Sequence, residues 1–350
     1  MKVIENVIDT YFYKEDVDKD AMVDGIFKGM VESLGDPYSE YYSKEELESL
    51  YQDSFGVYYG VGAYVSLDTT TGLAKVSGII ADSPAEEADL RAEDIIYKVD
   101  DVDVTGMTLQ ETVSLIKGDE NTTVKLTLIR DGKEIEKEVT RRKVESPTVN
   151  FKMLDDGMAY IQITEFDTVT VDQFTEAMAM ARGNDMKGLI LDLRSNPGGN
   201  LSSVVSIAKQ MLPKGLIVYT EDRDGNREEY SCDGSKELDV PMVVLVNGNS
   251  ASASEILAGA IKDYGIGTLV GTTTFGKGIV QRPIELSDGS AVKLTISSYY
   301  TPNGINIHGI GIEPDVECEF DSERYYSDEA YDNQLEKAKE VLLQKMEGTN

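Results

Sequence analysis

Apolar residues recur at helical spacing over the first part of the chain. One helical face carries Ile4, Val7, Ile8 and Phe12, and Ala21–Leu34 repeats the pattern. The stretch GDPYSEYYSKEELESLY then predicts a turn followed by a short helix. We therefore predict a helical region over residues 1–55.

The hydrophobic pattern changes twice further along the chain. Between residues 57 and 143, strand-like runs such as GVGAYVSL and TVKLTLIR alternate with two short helical patterns, which predicts a small β-rich domain over 56–145. From about Asn150, buried strand runs alternate with amphipathic helices, which favours an α/β core over 146–325. The tail from about Asp328, with the run DNQLEKAKEVLLQKM, predicts a terminal helix within 326–350.

The segment from Asn247 to Gln281 concentrates candidate chemistry. The run PMVVLV predicts a buried strand, NGNSASAS breaks it, and SEILAGAIKDY continues as an amphipathic helix. A strand, a tight turn and a helix in this order expose a nucleophile at the top of a sheet. The turn offers Ser250, Ser252 and Ser254. Each of the three also suits a helix cap, and spacing does not choose among them.

A lysine flanked by glycines, Lys277, follows Ser252 by 25 residues. A lysine acts as a general base only when its amine is neutral, so burial must lower its pKa from a reference value of about 10.4. Gln281 supplies a neutral amide that orients the amine without stabilising its charged form. His308 is the only histidine of the chain, so a Ser-His-Asp arrangement has little material. A Ser-Lys pair needs no histidine.

The strand run KGLILDL ends in RSNPGGN, ahead of a helix from about Leu201. The main-chain amides of Gly198 or Gly199, together with those of Ser252 or Ala253, would hold the oxygen of a tetrahedral intermediate. Taken alone, the PGG sequence favours an ordinary turn between a strand and a helix.

The formal net charge is −31, from 33 basic and 64 acidic residues, which argues against nucleic-acid binding and favours simple solubility. Cys232 and Cys318 are isolated, with no CxxC and no metal-ligand spacing, and whether they pair stays open. We predict no metal and no cofactor. Neither end carries a signal peptide or an apolar run of membrane-spanning length.

Four runs resemble, in order and spacing, the motifs of the carboxy-terminal processing peptidases, the tail-specific serine proteases of family S41. They are DLRSNPGGN, NGNSASASEILAGAIKD, GTTTFGKGIVQ and GIEPDV. The resemblance implies that Ser252 is the nucleophile, Lys277 the base and Gln281 its partner, and it gives His308 no catalytic task. It implies a crotonase-like core, a spiral of repeated ββα units. It also implies an extracytoplasmic location (periplasm, cell envelope or secreted), with any signal or anchor segment absent from this chain.

The β-rich part resembles a PDZ domain inserted ahead of the protease core. The amides of Gly60, Val61 and Gly62 would bind the terminal carboxylate of a peptide, and the last apolar side chain would lie beside Ala63. The family often has an arginine where this chain has Lys117, which cannot make bidentate contacts. Lys117 is therefore a candidate regulatory residue.

The leading hypothesis is a serine endopeptidase that selects protein or peptide substrates by their apolar C-termini. The alternative is a non-catalytic PDZ-type protein that binds peptide tails on a protease-like scaffold, and the intact Ser252, Lys277 and Gln281 argue against it. A crotonase-type acyl-CoA enzyme does not fit the PDZ-like insert. We expect a homodimer through the terminal helices. The need for an adaptor protein, and whether the PDZ domain activates or inhibits, stay open.

Overall fold

The computed structural model describes residues 2–14, 17–327 and 331–348. The chain divides into two compact units. The first comprises residues 1–50, 220–227 and 279–299, and the second comprises 51–219, 228–278 and 300–350.

The helices, in chain order, are α1 Lys2–Tyr11, α2 Lys19–Glu32, α3 Lys44–Phe55, α4 Pro84–Glu87, α5 Leu109–Ile116, α6 Thr170–Gly183, α7 Leu201–Ala208, α8 Ala253–Tyr264, α9 Ser322–Ser327 and α10 Asn333–Met346. The strands are β1 Glu40–Tyr42, β2 Val57–Gly60, β3 Ala63–Leu67, β4 Ala74–Ile79, β5 Ile95–Val99, β6 Val102–Asp103, β7 Thr123–Arg130, β8 Lys133–Thr140, β9 Arg142–Glu145, β10 Val149–Met153, β11 Met158–Ile163, β12 Gly188–Asp192, β13 Gly215–Asp222, β14 Arg227–Cys232, β15 Met242–Val246, β16 Gly267–Gly271, β17 Ile279–Glu285, β18 Ala291–Tyr300 and β19 Val316–Glu317.

The first unit combines the N-terminal helices with a small antiparallel sheet. Strands β17 and β18 form the hairpin that the LSDGS turn predicts, and β1 pairs with the other edge of β18, with Tyr41 opposite Val292. The strand β1 was not predicted, because its three residues lie in a stretch that reads locally as a turn. Its pairing partner is distant in sequence, so local patterns carry no sign of it.

The core of the second unit is a six-stranded sheet in the order β10-β11-β12-β15-β16-β19. The neighbours from β11 to β19 are parallel, and β10 lies antiparallel on β11. Every residue of β12 and β15 is buried, as expected for parallel strands covered on both faces. Helix α8 follows β15 and buries the nine residues from Ala253 to Ile261.

The β-rich part of the second unit has its own sheet and its own core. Strands β3-β4-β5-β7-β8 form the sheet, with β6 paired to β5. Val76, Leu126 and Leu128 are at most 1% exposed at its centre. Strands β2 and β9 pair antiparallel, with Val57 opposite Glu145, so the chain enters and leaves this part side by side.

Helix α10 packs against the core sheet through Ala338 and Leu342, both fully buried. The predicted start of this helix near Asp328 lies outside the described residues, and the helix begins at Asn333. Arg194, at the end of β12, holds its N-terminus: Nη2 donates to Asp192 Oδ2 at 2.6 Å and to Asp332 Oδ2 at 2.8 Å.

Cys232 and Cys318 are both free thiols. Across residues 2–14, 17–327 and 331–348, no helix has the length and apolarity needed to cross a bilayer.

Candidate active site

Ser252 lies at a sharp turn between β15 and α8. Its backbone has φ 54° and ψ −114°, a region that costs a non-glycine residue roughly 1–3 kcal/mol. It is the residue immediately before the first turn of α8. Such a strained turn directs a side chain away from the sheet, as a nucleophile requires.

The two neighbouring serines have structural partners. Ser250 Oγ donates to Leu193 O at 2.8 Å, and Ser254 Oγ donates to Asn196 O at 3.0 Å. Both residues are fully buried, whereas Ser252 is half-buried. These bonds give Ser250 and Ser254 structural roles, and the role of Ser252 as nucleophile stays a prediction.

Glu255 joins the serine turn to the lysine loop, and sequence reasoning missed it. This fully buried carboxylate accepts four hydrogen bonds. Oε2 accepts the amides of Ser252 and Lys277, each at 2.9 Å. Oε1 accepts Thr274 Oγ1 at 2.6 Å and the Gly276 amide at 2.7 Å. One side chain thus fixes the backbone of both proposed catalytic residues.

The glycines around Lys277 allow a close approach to another loop. Gly276 has φ +86°, and its carbonyl accepts the Gly309 amide at 2.9 Å. A Cβ added at Gly278 would lie 2.6 Å from the main-chain nitrogen of His308. Lys277 itself is half-buried. His308 is exposed.

Gln281 lies on β17 in the first unit. Its Nε2 donates to Thr295 Oγ1 at 3.2 Å across the hairpin. This bond fixes the amide locally, and its proposed role beside the lysine stays a prediction.

Gly198 packs directly against the serine turn. It has φ +111°, and a Cβ placed there would lie 2.7 Å from Ser252 Cβ and 3.0 Å from the Ala253 nitrogen. Its own N–H donates to Asn196 Oδ1 at 2.8 Å. The Gly198 amide is therefore engaged within the loop, and its expected role as an oxyanion donor stays a prediction. Gly198 matters because it lacks a side chain.

Gly199 and Ala253 are the other expected oxyanion donors, and their role stays a prediction. Gly199 is exposed with φ +135°. Among the described residues, none accepts the amide of either Gly199 or Ala253. Asn196 links its own loop to the serine turn and to the end of β11. Its carbonyl accepts the Ala251 amide at 3.0 Å, and its Nδ2 donates to Ile163 O at 2.9 Å.

The second candidate site is a groove of about 310 Å³ in the β-rich part, lined by Gly60–Val65 together with Ile116 of α5 and Lys117, which directly follows α5. Within the described chain, no group accepts the amides of Val61 and Gly62, while Gly60 pairs with Arg142 in the β2–β9 ladder. Gly62 has φ +83°, and a Cβ there would collide with Ser83.

Lys117 lies at the rim of this groove. Its Nζ is 5.8 Å from the ring centre of Tyr58. An aromatic ring at this range attracts a cation, which keeps the amine near the groove mouth.

Comparison with known protein families gives matches for both the core that carries the serine turn and the β-rich part. The profile described as peptidase family S41 matches residues 157–318, and that described as a PDZ domain matches 75–130. Residues 2–46 match the profile of the activating protease CtpB N-terminal domain.

Curated relatives agree with these profiles. The chain is 38% identical over 320 residues to the carboxy-terminal processing protease CtpA of Bacillus subtilis (strain 168), covering 91% of this chain and 68% of that protein. It is 37% identical over 292 residues to the carboxyl-terminal-processing protease of Synechocystis sp., covering 82% and 68%.

Two solved structures share the fold. A photosystem II D1 C-terminal processing protease superposes with TM-score 0.54 at 33% identity, covering 90% of this chain and 86% of that one. A putative S41 protease from Bacteroides fragilis superposes with TM-score 0.58 at 18% identity, covering 99% and 97%, and this likeness concerns the fold alone.

Proposed function

Since the chain belongs to peptidase family S41, we propose that it is a serine endopeptidase that recognises protein C-termini and cleaves by a Ser-Lys mechanism. Ser252 is the nucleophile, Lys277 the general base, and Gln281 the amide that orients the lysine. The PDZ domain reads the substrate tail, and the core cleaves upstream of it.

In the proposed reaction, neutral Lys277 takes the proton from Ser252 Oγ as the oxygen attacks a peptide carbonyl. The negative oxygen of the tetrahedral intermediate accepts hydrogen bonds from the amides of Gly199 and Ala253. The lysine then returns its proton to the leaving amine. Water, activated by the same lysine, releases the acyl group from the serine.

The observation that carries this proposal is the Glu255 carboxylate. Its Oε2 lies 2.9 Å from the main-chain nitrogens of both Ser252 and Lys277, so the two backbones meet at one oxygen. A purely structural turn needs no such shared anchor. The exposed amide of Gly199 and the strained backbone of Ser252 support the same reading.

The groove supports selection by the C-terminus. The amides of Val61 and Gly62 are available to a terminal carboxylate, and Ala63 and Ile116 line an apolar wall beside them. A substrate strand added along β3 would place alternate side chains toward this wall. We therefore propose protein substrates with apolar C-termini.

Four further proposals rest on the family and on single features. The core is a crotonase-like spiral, and the protein acts outside the cytoplasm. It forms a homodimer, since α1 has no buried residue and exposes more than half of Val3, Ile4 and Val7. An adaptor protein presents some substrates.

The test is cleavage of an unstructured protein with an apolar C-terminus by wild type, Ser252→Ala and Lys277→Ala. Matched controls are Ser202→Ala and Lys187→Ala, which alter exposed residues. We expect wild type and both controls to cut, and both site variants to fail. Removing the last three substrate residues should slow cleavage by raising KM.

Two outcomes would contradict the proposal. Cleavage by both site variants at the wild-type rate would remove Ser252 and Lys277 from the chemistry. Tight binding of the tail peptide by wild type without any cleavage would identify a tail-binding protein instead.

A further inference from the structure

The main chain of Phe166 is hydrogen-bonded to residues 198–200, which we call the oxyanion loop because they include the proposed donor Gly199. The Phe166 amide donates to Gly198 O at 2.8 Å, and the Asn200 amide donates to Phe166 O at 2.7 Å. Gly199 lies between these two bonds, and a Cβ added there would be 2.5 Å from Phe166 O. A displacement of Phe166 therefore displaces the Gly199 amide.

The same loop is tied to the segments that lead into and out of the PDZ domain. Asn200 Nδ2 donates to Ser54 O at 2.7 Å, and Ser54 Oγ donates back to Asn200 Oδ1 at 2.8 Å. The Thr168 amide also donates to Ser54 O, at 3.3 Å. Two residues after Ser54, the carbonyl of Gly56 accepts the Ser146 amide at 2.8 Å. We call the reciprocal Ser54–Asn200 pair the clasp.

Asp167 lies beside the clasp, next to Phe166, and the proposed mechanism does not use it. The residue is 4% exposed, and no described residue donates a hydrogen bond to its carboxyl group. A Cβ added at Gly56 would lie 3.0 Å from Asp167 Oδ2, so the carboxyl packs against the backbone between α3 and β2.

The charged groups that act on Asp167 are both acidic: Glu165 on its own loop and Asp53 on α3. Helix α6, which begins just beyond, adds the acidic Asp172 in its first turn. Burial raises the pKa of Asp167 to about 7, and repulsion from Glu165 and Asp53 acts in the same direction. The carboxyl therefore changes its charge in the neutral range.

We propose that Asp167 is a protonation-dependent latch on the oxyanion loop: its neutral carboxyl lets the clasp close, and its carboxylate opens the clasp through repulsion from Asp53 and Glu165. The proton lost on opening passes to water. The latch rests on the proposed function, since it controls the same Gly199 amide. It gives the protease an upper pH limit that is separate from the titration of Lys277.

The pH dependence of cleavage tests the latch. Above pH 7 we expect the ratio of wild-type kcat/KM to that of Asp167→Asn to fall by up to about tenfold per pH unit, because only the protonated form is competent and the titration of Lys277 cancels in the ratio. Asp167→Asn, which mimics the neutral carboxyl, should keep its activity there. Asp53→Asn removes one of the two repelling charges, so ionised Asp167 should open the clasp less and the alkaline decline should be smaller. Asp172→Asn is the matched control and should follow wild type.

Hydrogen exchange of the Phe166 and Asn200 amides, corrected for intrinsic pH dependence, gives a readout that does not require cleavage. Wild type should lose protection above pH 7, and Asp167→Asn should retain it. An identical alkaline decline and identical exchange in wild type and Asp167→Asn would overturn the latch. If wild type cleaves nothing, the proposed function fails, while the exchange data still decide the latch.

Discussion

Glu255→Gln is the most direct test of how the site is built. The substitution keeps the size of the side chain but replaces one acceptor oxygen with an NH₂ donor. If the amide oxygen faces Ser252 and Lys277, the NH₂ group faces the Gly276 amide, which has only a donor to offer. The Thr274 hydroxyl can rotate and accept, but a main-chain N–H cannot.

The expected loss of stability follows from the four hydrogen bonds that the Glu255 carboxylate accepts. At least one buried N–H is left unsatisfied, at about 1–3 kcal/mol, and the remaining bonds lose a charged acceptor. Together these effects should lower the free energy of unfolding by about 3–5 kcal/mol, a large part of the usual 5–15 kcal/mol for a folded domain. Because Ser252 and Lys277 lose their shared anchor, kcat/KM should fall about a hundredfold or more.

Urea denaturation followed by circular dichroism suits this protein, since the chain has no tryptophan. Glu176→Gln, at an exposed position on α6, is the matched control and should leave both stability and kcat/KM unchanged. A Glu255→Gln variant within 1 kcal/mol of wild type by urea titration, with kcat/KM within about threefold, would refute the anchoring role.

Three further substitutions have defined outcomes. Gly198→Ala should abolish cleavage through collision with the serine turn, whereas Gly183→Ala, in open space on α6, should leave kcat/KM intact. Gly62→Ala should weaken binding of a tail peptide, measured by calorimetry, without affecting cleavage of a short tail-independent peptide. Burial raises the pKa of Asp332, but the hydrogen bond from Arg194 outweighs it and holds this pKa below its ordinary value. The stability from this pair should therefore be present above pH 3.8 and be lost as pH falls below it, and Asp332→Asn should flatten that acid limb in thermal melts.

The sequence predicted the elements that carry the site because they are strongly patterned. Local hydrophobicity determines the buried runs before Asn247 and Ser195 and the helix after Ser252. That helix was expected to be amphipathic, whereas its residues Ala253 to Ile261 are all buried. The bonds that hold Ser250 and Ser254 were not local. They depend on carbonyl groups of Leu193 and Asn196, which lie just beyond β12.

Two residues of the site escaped sequence reasoning for different physical reasons. Glu255 had a readable signal, since Ser252 followed three residues later by Glu is a capping-box pattern. Asn196 had only part of one, because its bond from the Gly198 amide is local and spans two residues, whereas Ile163 is brought to it only by the sheet. The direction of the Gly198 amide was not predicted, since glycine content reveals conformational freedom but not where an N–H points.

The pairing of β2 with β9 makes the PDZ domain an exchangeable unit. Both of its ends meet where Val57 lies opposite Glu145, so a short hairpin turn suffices to close the chain after excision, and a different PDZ domain can be grafted at the same seam. A graft that retains Gly56 and Ser146 keeps the backbone bond beneath the seam. Recombination at this one point would give chimaeric proteases with new tail preferences and an unaltered cutting centre, a short route by which a lineage can diversify its targets.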